Sequence, residues 1–298
     1  MRKRTDISFI SGSDGDRCRA WLYSSDSFEA PVIVMAHGLG GVKEMRLDAY
    51  AEKFVEAGYS CLVFDYRHFG ASDGKPRQII EIPLQLADWA SAISHARRIR
   101  PRSKIVLWGS SFAGGHVLAA GAKDGRIAAV ISQCPHTSGP AAVGQLDLWT
   151  TLRLTGLAMR DIATKIVGGK PVLVEMTGAP GDLALMTGPG ADERSHDLMR
   201  TAGAAKPPTK VAARIGLAIG TYSPGRNAKD LNCPVMFCLC TEDNVAPAAA
   251  ARRFSRQAVL AEVHEYPVGH FDIYMDEPFE KVVVDQIEFL HKHLPLAD

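Results

Sequence analysis

Two serines stand side by side in VLWGSSFAGGHV, Val106 to Val117, between a β-branched run and a stretch of small residues. A serine hydroxyl becomes a nucleophile only where it is exposed and a base can take its proton. A sharp turn between a strand and a helix exposes it, provided the flanking residues are small; the sequence form is Gly-x-Ser-x-Gly. With Ser111 at the centre the stretch reads Gly109-Ser110-Ser111-Phe112-Ala113, with Gly114 next. With Ser110 at the centre, Trp108 falls on the first small position. Ser111 is therefore the better nucleophile, and Ser110 is assigned to the pocket around it. The structural alternative is a glycine-rich helix start that binds phosphate or packs closely, but no P-loop lysine follows and there is no G-x-G-x-x-G here.

Such a serine needs an acid and a histidine, in the chain order Ser, Asp, His. Ligand sites of open parallel sheets lie at the carboxyl ends of strands. Asp243, in TEDNVAP, follows the apolar run PVMFCLC and is preferred to Glu242. His270, in PVGHFDIY, follows the next strand, where a loop can bring an imidazole to the serine. His291 and His293 ride the terminal helix, His264 lies inside a strand, His95 on a helix face, and His116 in the helix after the serine. His136, in CPHTSG, competes for the base role or lines the pocket. A tetrahedral intermediate wants two backbone N–H donors. Phe112, directly after the nucleophile, supplies one. Leu39, in HGLGG (37–41), supplies the other, with Gly38 and Gly40 letting the backbone approach a ligand and His37 holding the loop by hydrogen bonding. The bland reading of HGLGG is a tight turn without function.

These residues need a scaffold. PVIVMA (31–36), CLVFDY (61–66), KIVLWG (104–109), IAAVISQC (127–134) and PVMFCLC (234–240) are continuous apolar runs, suited to strands buried on both faces. Amphipathic segments alternate with them, which predicts a parallel sheet with right-handed crossover helices. DISFI and RCRAWLY around SGSDGD (11–16) predict an antiparallel hairpin at the start. The alternation breaks between 136 and 229. The expected organisation is a core domain of 1–135 and 230–298, with 136–229 inserted as a cap. In the cap, LDLWTTLRLTGLAMRDIATKI reads as helix, and Trp149 and Leu152 are expected to line an apolar pocket or simply to bury the cap on the body.

At 298 residues, 46% hydrophobic and 22% charged, the chain can bury a large core. A net charge of +1 gives no basic field for nucleic acid. The basic opening MRKR is not followed by an apolar signal region, and no run is long enough to span a membrane. The six cysteines lack metal-site or disulfide spacing, which predicts free buried thiols and a cytoplasmic protein. No metal or organic cofactor is implied. A homodimer is compatible with the composition.

MAHGLGG, VFDYRHFGASDG, LWGSSFAGGHV, TEDNVAP and VGHFDIY, in that order, resemble the α/β-hydrolase superfamily, and most of all its peptidase-, esterase- and polyketide-transferase-like branch. The departure is Ala113 at the second glycine. The resemblance implies an eight-stranded, mostly parallel sheet with helices on both faces and a mainly helical cap after the sixth strand. It also implies that Asp65, Arg67, Gly70 and Ser72 organise a turn. The function expected is a serine hydrolase of the ester-cleaving class, working on an ester or thioester through an acyl-enzyme. Acyl transfer to an alcohol or amine, peptide cleavage and C–C bond hydrolysis use the same three groups. A non-catalytic binding protein on the same fold is the remaining alternative.

Overall fold

The computed structural model describes residues 4–12 and 15–296. The first residues of the basic opening, 1–3, and residues 13 and 14 of the expected hairpin turn lie outside the described residues. The chain opens with β1 (Arg4–Ile10) and β2 (Arg17–Tyr23), paired antiparallel. Then come β3 (Val32–Ala36), β4 (Ser60–Phe64), β5 (Ile105–Ser110) and β6 (Ile127–Gln133). Three short strands follow, β7 (Leu173–Thr177), β8 (Ala184–Met186) and β9 (Lys210–Ala212), before β10 (Val235–Cys240) and β11 (Ala261–Tyr266) close the series.

Eight strands form one sheet in the order β1-β2-β4-β3-β5-β6-β10-β11. β2 runs antiparallel to both β1 and β4; every pair from β4 to β11 is parallel. The continuous apolar runs are explained by this: every residue of β3, β4, β5 and β10 is buried, as strands covered on both faces require.

The covering helices are α1 (Leu47–Glu56), α2 (Ile82–Ile99) and α3 (Phe112–Lys123). In the segment between β6 and β10 lie α4 (Gly139–Val143), α5 (Leu148–Ile166), α6 (Ala191–Thr201) and α7 (Ile215–Thr221). The chain finishes with α8 (Ala248–Ser255) and α9 (Asp276–His293). α1 buries Leu47, Tyr50, Ala51, Phe54 and Val55, one stripe at helical spacing, and packs on α9. α2 packs on α3. Right-handed crossovers that step in opposite directions from the middle of the sheet put these two pairs on opposite faces.

The segment between β6 and β10 is not purely helical. It carries a second sheet, β8-β7-β9. A buried carboxylate ties the segment together: Asp161 of α5 accepts from Val172 N at 2.8 Å, Arg214 N at 2.9 Å and Arg214 Nε at 2.7 Å. It is fastened to the body by Lys165 Nζ–Glu81 at 2.6 Å, Arg194 Nε–Asp272 at 2.5 Å and Asn244 Nδ2 donating to Pro189 O at 2.9 Å. At Gly188, an added Cβ would meet the Asn244 side chain at 2.3 Å, so this glycine marks a close-packed turn.

Candidate active site

Ser111 sits between the last residue of β5 and the first of α3, with φ 58 and ψ −118. Positive φ is rare for a residue with a Cβ and costs of order 1–3 kcal/mol, so the surrounding structure must enforce it. It does so by close approach. A Cβ on Gly109 would lie 2.2 Å from Ala113 O, and one on Gly38 would lie 2.7 Å from Ser111 Cβ. Gly114 is pressed against the end of β6, where a Cβ would be 2.8 Å from Gln133 O. Ala113 is fully buried without disturbing the turn.

The structure brings Ser111, His270 and Asp243 together from 159 and 27 residues apart in the chain. Ser111 Oγ is hydrogen-bonded to His270 Nε2 at 2.9 Å, and His270 Nδ1–H donates to Asp243 Oδ2 at 2.6 Å. The other carboxylate oxygen, Asp243 Oδ1, accepts from Val245 N at 2.8 Å and Ala246 N at 2.7 Å. That fixes the carboxylate plane and so the imidazole. Burial works to depress the His270 pKa, but the adjacent Asp243 carboxylate, with a smaller contribution from Cys134, outweighs it and pushes the imidazole up to about 9. His37 is the contrast: buried without a carboxylate, it is pushed down to about 4. It stays neutral, accepts from Gly38 N at 2.8 Å through Nδ1 and donates from Nε2 to Met45 O at 3.2 Å, shaping the 37–41 loop.

Two cavities meet at Ser111. The larger, about 220 Å³, is lined mostly by apolar groups, among them Phe112, Val143, Leu154, Ile219 and Val245, with His136 in its wall. The smaller, about 30 Å³, is lined by His37, Gly38, His270 and four methionines. Leu39, Met186 and Ser111 border both. His136 meets Ser111 through the backbone, its N donating to Ser111 O at 2.9 Å, while its ring Nε2 bonds Tyr222 O at 3.1 Å and burial lowers its pKa to about 4.

Four pocket expectations need correction. Trp149 and Leu152 are 76% and 52% exposed, because the inward side of α5 is Thr150, Leu154, Ala158 and Asp161. Gly40 lines neither cavity; its positive φ of 68 turns the loop, and a Cβ there would strike Met176 Sδ at 2.0 Å. Ser110 is fully buried below the turn. There it belongs to a polar chain that the sequence did not reveal. Trp108 Nε1 donates to Gln286 Oε1 at 3.0 Å, Gln286 Nε2 to Gln133 Oε1 at 2.8 Å, and Gln133 Nε2 to Ser110 Oγ at 3.0 Å. Ser110 Oγ meets Tyr274 Oη at 2.6 Å. Tyr274 ends the turn that carries His270, so this chain links the floor of the serine turn to the histidine loop. The only signal for it was polar residues at positions that must be buried.

The turn after β4 is organised by buried polar groups of its own and of its neighbours. Asp65 accepts from Lys43 N at 2.8 Å and Ala71 N at 3.1 Å, Ser72 Oγ donates to Asp65 O at 2.8 Å, and Arg67 pairs with Asp88 at 2.7 Å. A Cβ on Gly70 would meet Asp65 Oδ2 at 2.2 Å.

This architecture is the α/β-hydrolase fold. The crystal structure of the α/β hydrolase GrgF from Penicillium sp. superposes with a TM-score of 0.83 at 24% identity, covering 99% of this chain and 100% of that one. The serine aminopeptidase S33 family profile matches residues 29–278, and the chain belongs to that family of hydrolases. Among its relatives, the quorum-quenching protein AidA of Acinetobacter baumannii is 47% identical over 98% of this chain and 95% of its own length. The polyketide transferase ATR5 of Stachybotrys chlorohalonatus is 28% identical over 98% of each. Among the described residues, no helix is long and apolar enough to cross a membrane.

Proposed function

We propose that the protein is a serine hydrolase that cleaves an ester or thioester with an apolar acyl group. His270 Nε2 takes the Ser111 proton as Oγ forms its bond to the substrate carbonyl carbon. Asp243 holds the imidazole in the tautomer that presents a bare Nε2 and stabilises the imidazolium. The N–H groups of Leu39 and Phe112 receive the oxyanion. As the tetrahedral intermediate collapses, the bond to the leaving oxygen or sulfur breaks and His270 returns the proton to that atom. Water then repeats the sequence: its proton goes to His270, its oxygen to the acyl carbon, and Ser111 Oγ leaves with the proton.

The observation that carries this reading is the unbroken line from Ser111 Oγ through His270 to Asp243, opening on an apolar cavity. A relative named for quorum quenching is compatible with an ester-bearing signal molecule as substrate. A relative named as a polyketide transferase favours one second reading, in which an alcohol or amine replaces water at the deacylation step. The test is turnover of methyl esters and N-acetylcysteamine thioesters, from acetyl to dodecanoyl, with and without an added alcohol. Hydrolysis that drops by roughly 10⁴-fold or more in Ser111→Ala is expected. Product esters of the added alcohol in place of free acid would favour transfer. Unchanged turnover in Ser111→Ala would remove Ser111 as the nucleophile and the proposal with it, and no turnover by the native protein would leave a binding protein.

A further inference from the structure

Ser111 and His270 do not face the two cavities equally. Ser111 borders both, whereas His270 borders only the smaller. Phe112 and His136 border only the larger. If the serine-hydrolase reading above holds, this asymmetry orients the substrate. The departing oxygen or sulfur must accept its proton from His270 Nε2, so it has to lie within hydrogen-bond reach of that atom. The leaving group therefore occupies the cavity that His270 lines, and the acyl group extends into the other. We infer that the small cavity is the leaving-group subsite, and that it restricts the enzyme to esters of small, weakly polar alcohols or thiols carrying a long apolar acyl chain.

The dimensions and lining support the assignment. The larger cavity, about 220 Å³ and mainly apolar, accommodates a chain. The smaller, about 30 Å³, has room for about two water-sized groups. Its walls are mainly Met45 from the body and Met176, Met186 and Met199 from the cap, with Phe271 and Tyr274 beside His270; Ser195 and His37 are its few polar members besides Ser111 and His270. Thioethers are apolar and polarisable, and offer no strong partner to a charged or heavily hydroxylated leaving group. Burying such a group there without hydrogen bonds is strongly unfavourable. Three of the four methionines come from the cap, so the cap sets leaving-group size while the serine turn and its partners stay constant. Met199 lies on α6, next to the part of the cap that Arg194 fastens to Asp272 in the histidine loop.

The test is a set of octanoate esters that share the acyl group and differ in the alcohol: methyl, ethyl, butyl and benzyl. A parallel set of methyl esters runs from acetate to decanoate, with benzyl acetate added. In the native protein kcat/KM is expected to fall at least tenfold from methyl to benzyl octanoate, and to rise with acyl length. Met199→Ala, and separately Met176→Ala, is expected to raise the benzyl-to-methyl octanoate ratio of kcat/KM by about tenfold. Ser111-dependent turnover that is flat across the alcohols would overturn the subsite while leaving the hydrolase intact. A preference for benzyl acetate over methyl octanoate would invert the two cavities and also overturn it. Failure of every ester, with Ser111 refractory to a fluorophosphonate, would remove the hydrolase reading itself and this inference with it.

Discussion

Asp243 receives two backbone N–H groups on one oxygen and the imidazole of His270 on the other, so neither side chain is free to rotate away. The charge it places beside His270 carries a kinetic consequence. His270 acts as a base only when neutral, and its pKa is pushed up to about 9. kcat/KM is therefore expected to rise with pH through neutrality and level off only above about 9. Asp243→Asn removes the charge and favours the wrong tautomer; its kcat should fall by roughly 10⁴-fold, and the pH limb should move down toward the ordinary histidine range. A pH–rate profile of the two proteins checks both, and an unshifted limb would contradict the role given to Asp243. At this scale the sequence was informative where a residue's neighbours constrain its geometry: Ser111 between small residues, Asp243 and His270 after apolar strands. It placed Ser110 in the pocket and did not connect it with Gln133, Tyr274 and Gln286. Ser110 and Gln133 adjoin or stand in apolar runs that must be buried, so they need polar partners, but only the fold brings the four into one buried chain.

At the scale of the element, the strand–turn–helix around Ser111 depends on backbones that touch. Gly38 is in the 37–41 loop, and a side chain there would drive that loop off Ser111. Gly38→Ala is expected to lower kcat/KM by about 10²-fold, the effect of displacing reacting groups by about 1 Å, with little change in melting temperature. A collapse in melting temperature, or unaltered kinetics, would contradict this. The parallel strands were legible because burial on both faces leaves a continuous apolar run. The register of α5 was not. LWTTLRLTGLAM is apolar at Leu148, Trp149 and Leu152 as well as at Leu154, Leu157 and Met159, so its pattern does not say which side meets the pocket. The structure turns Leu154 inward and leaves Trp149, Leu152 and Met159 exposed.

At the scale of the whole molecule, the loops of an eight-stranded sheet carry Ser111, Asp243 and His270, and the segment between β6 and β10 contributes to the lining of both cavities beside Ser111. That segment is held by Asp161, whose pKa is lowered despite burial by its bonds to Arg214 and to backbone N–H groups. Removing one partner of a buried pair typically costs about 3–5 kcal/mol. Asp161→Ala should therefore loosen the cap before the body: limited proteolysis should cut within 136–229 while the sheet stays intact, and long-chain esters should lose more turnover than acetates. Uniform loss of both would contradict a separate role for the cap. The alternation of strands and helices made the sheet predictable. The second sheet, β8-β7-β9, escaped notice because its strands are short and lie among glycines and prolines that read as loop. The account as a whole rests on Ser111 being the group that His270 activates. Peptide mapping after reaction with a fluorophosphonate addresses that most directly. The account predicts one adduct, on Ser111, that forms faster as pH rises and is slowed severely by His270→Ala. An adduct on Ser110, or labelling of Ser111 at the same rate without His270, would contradict it.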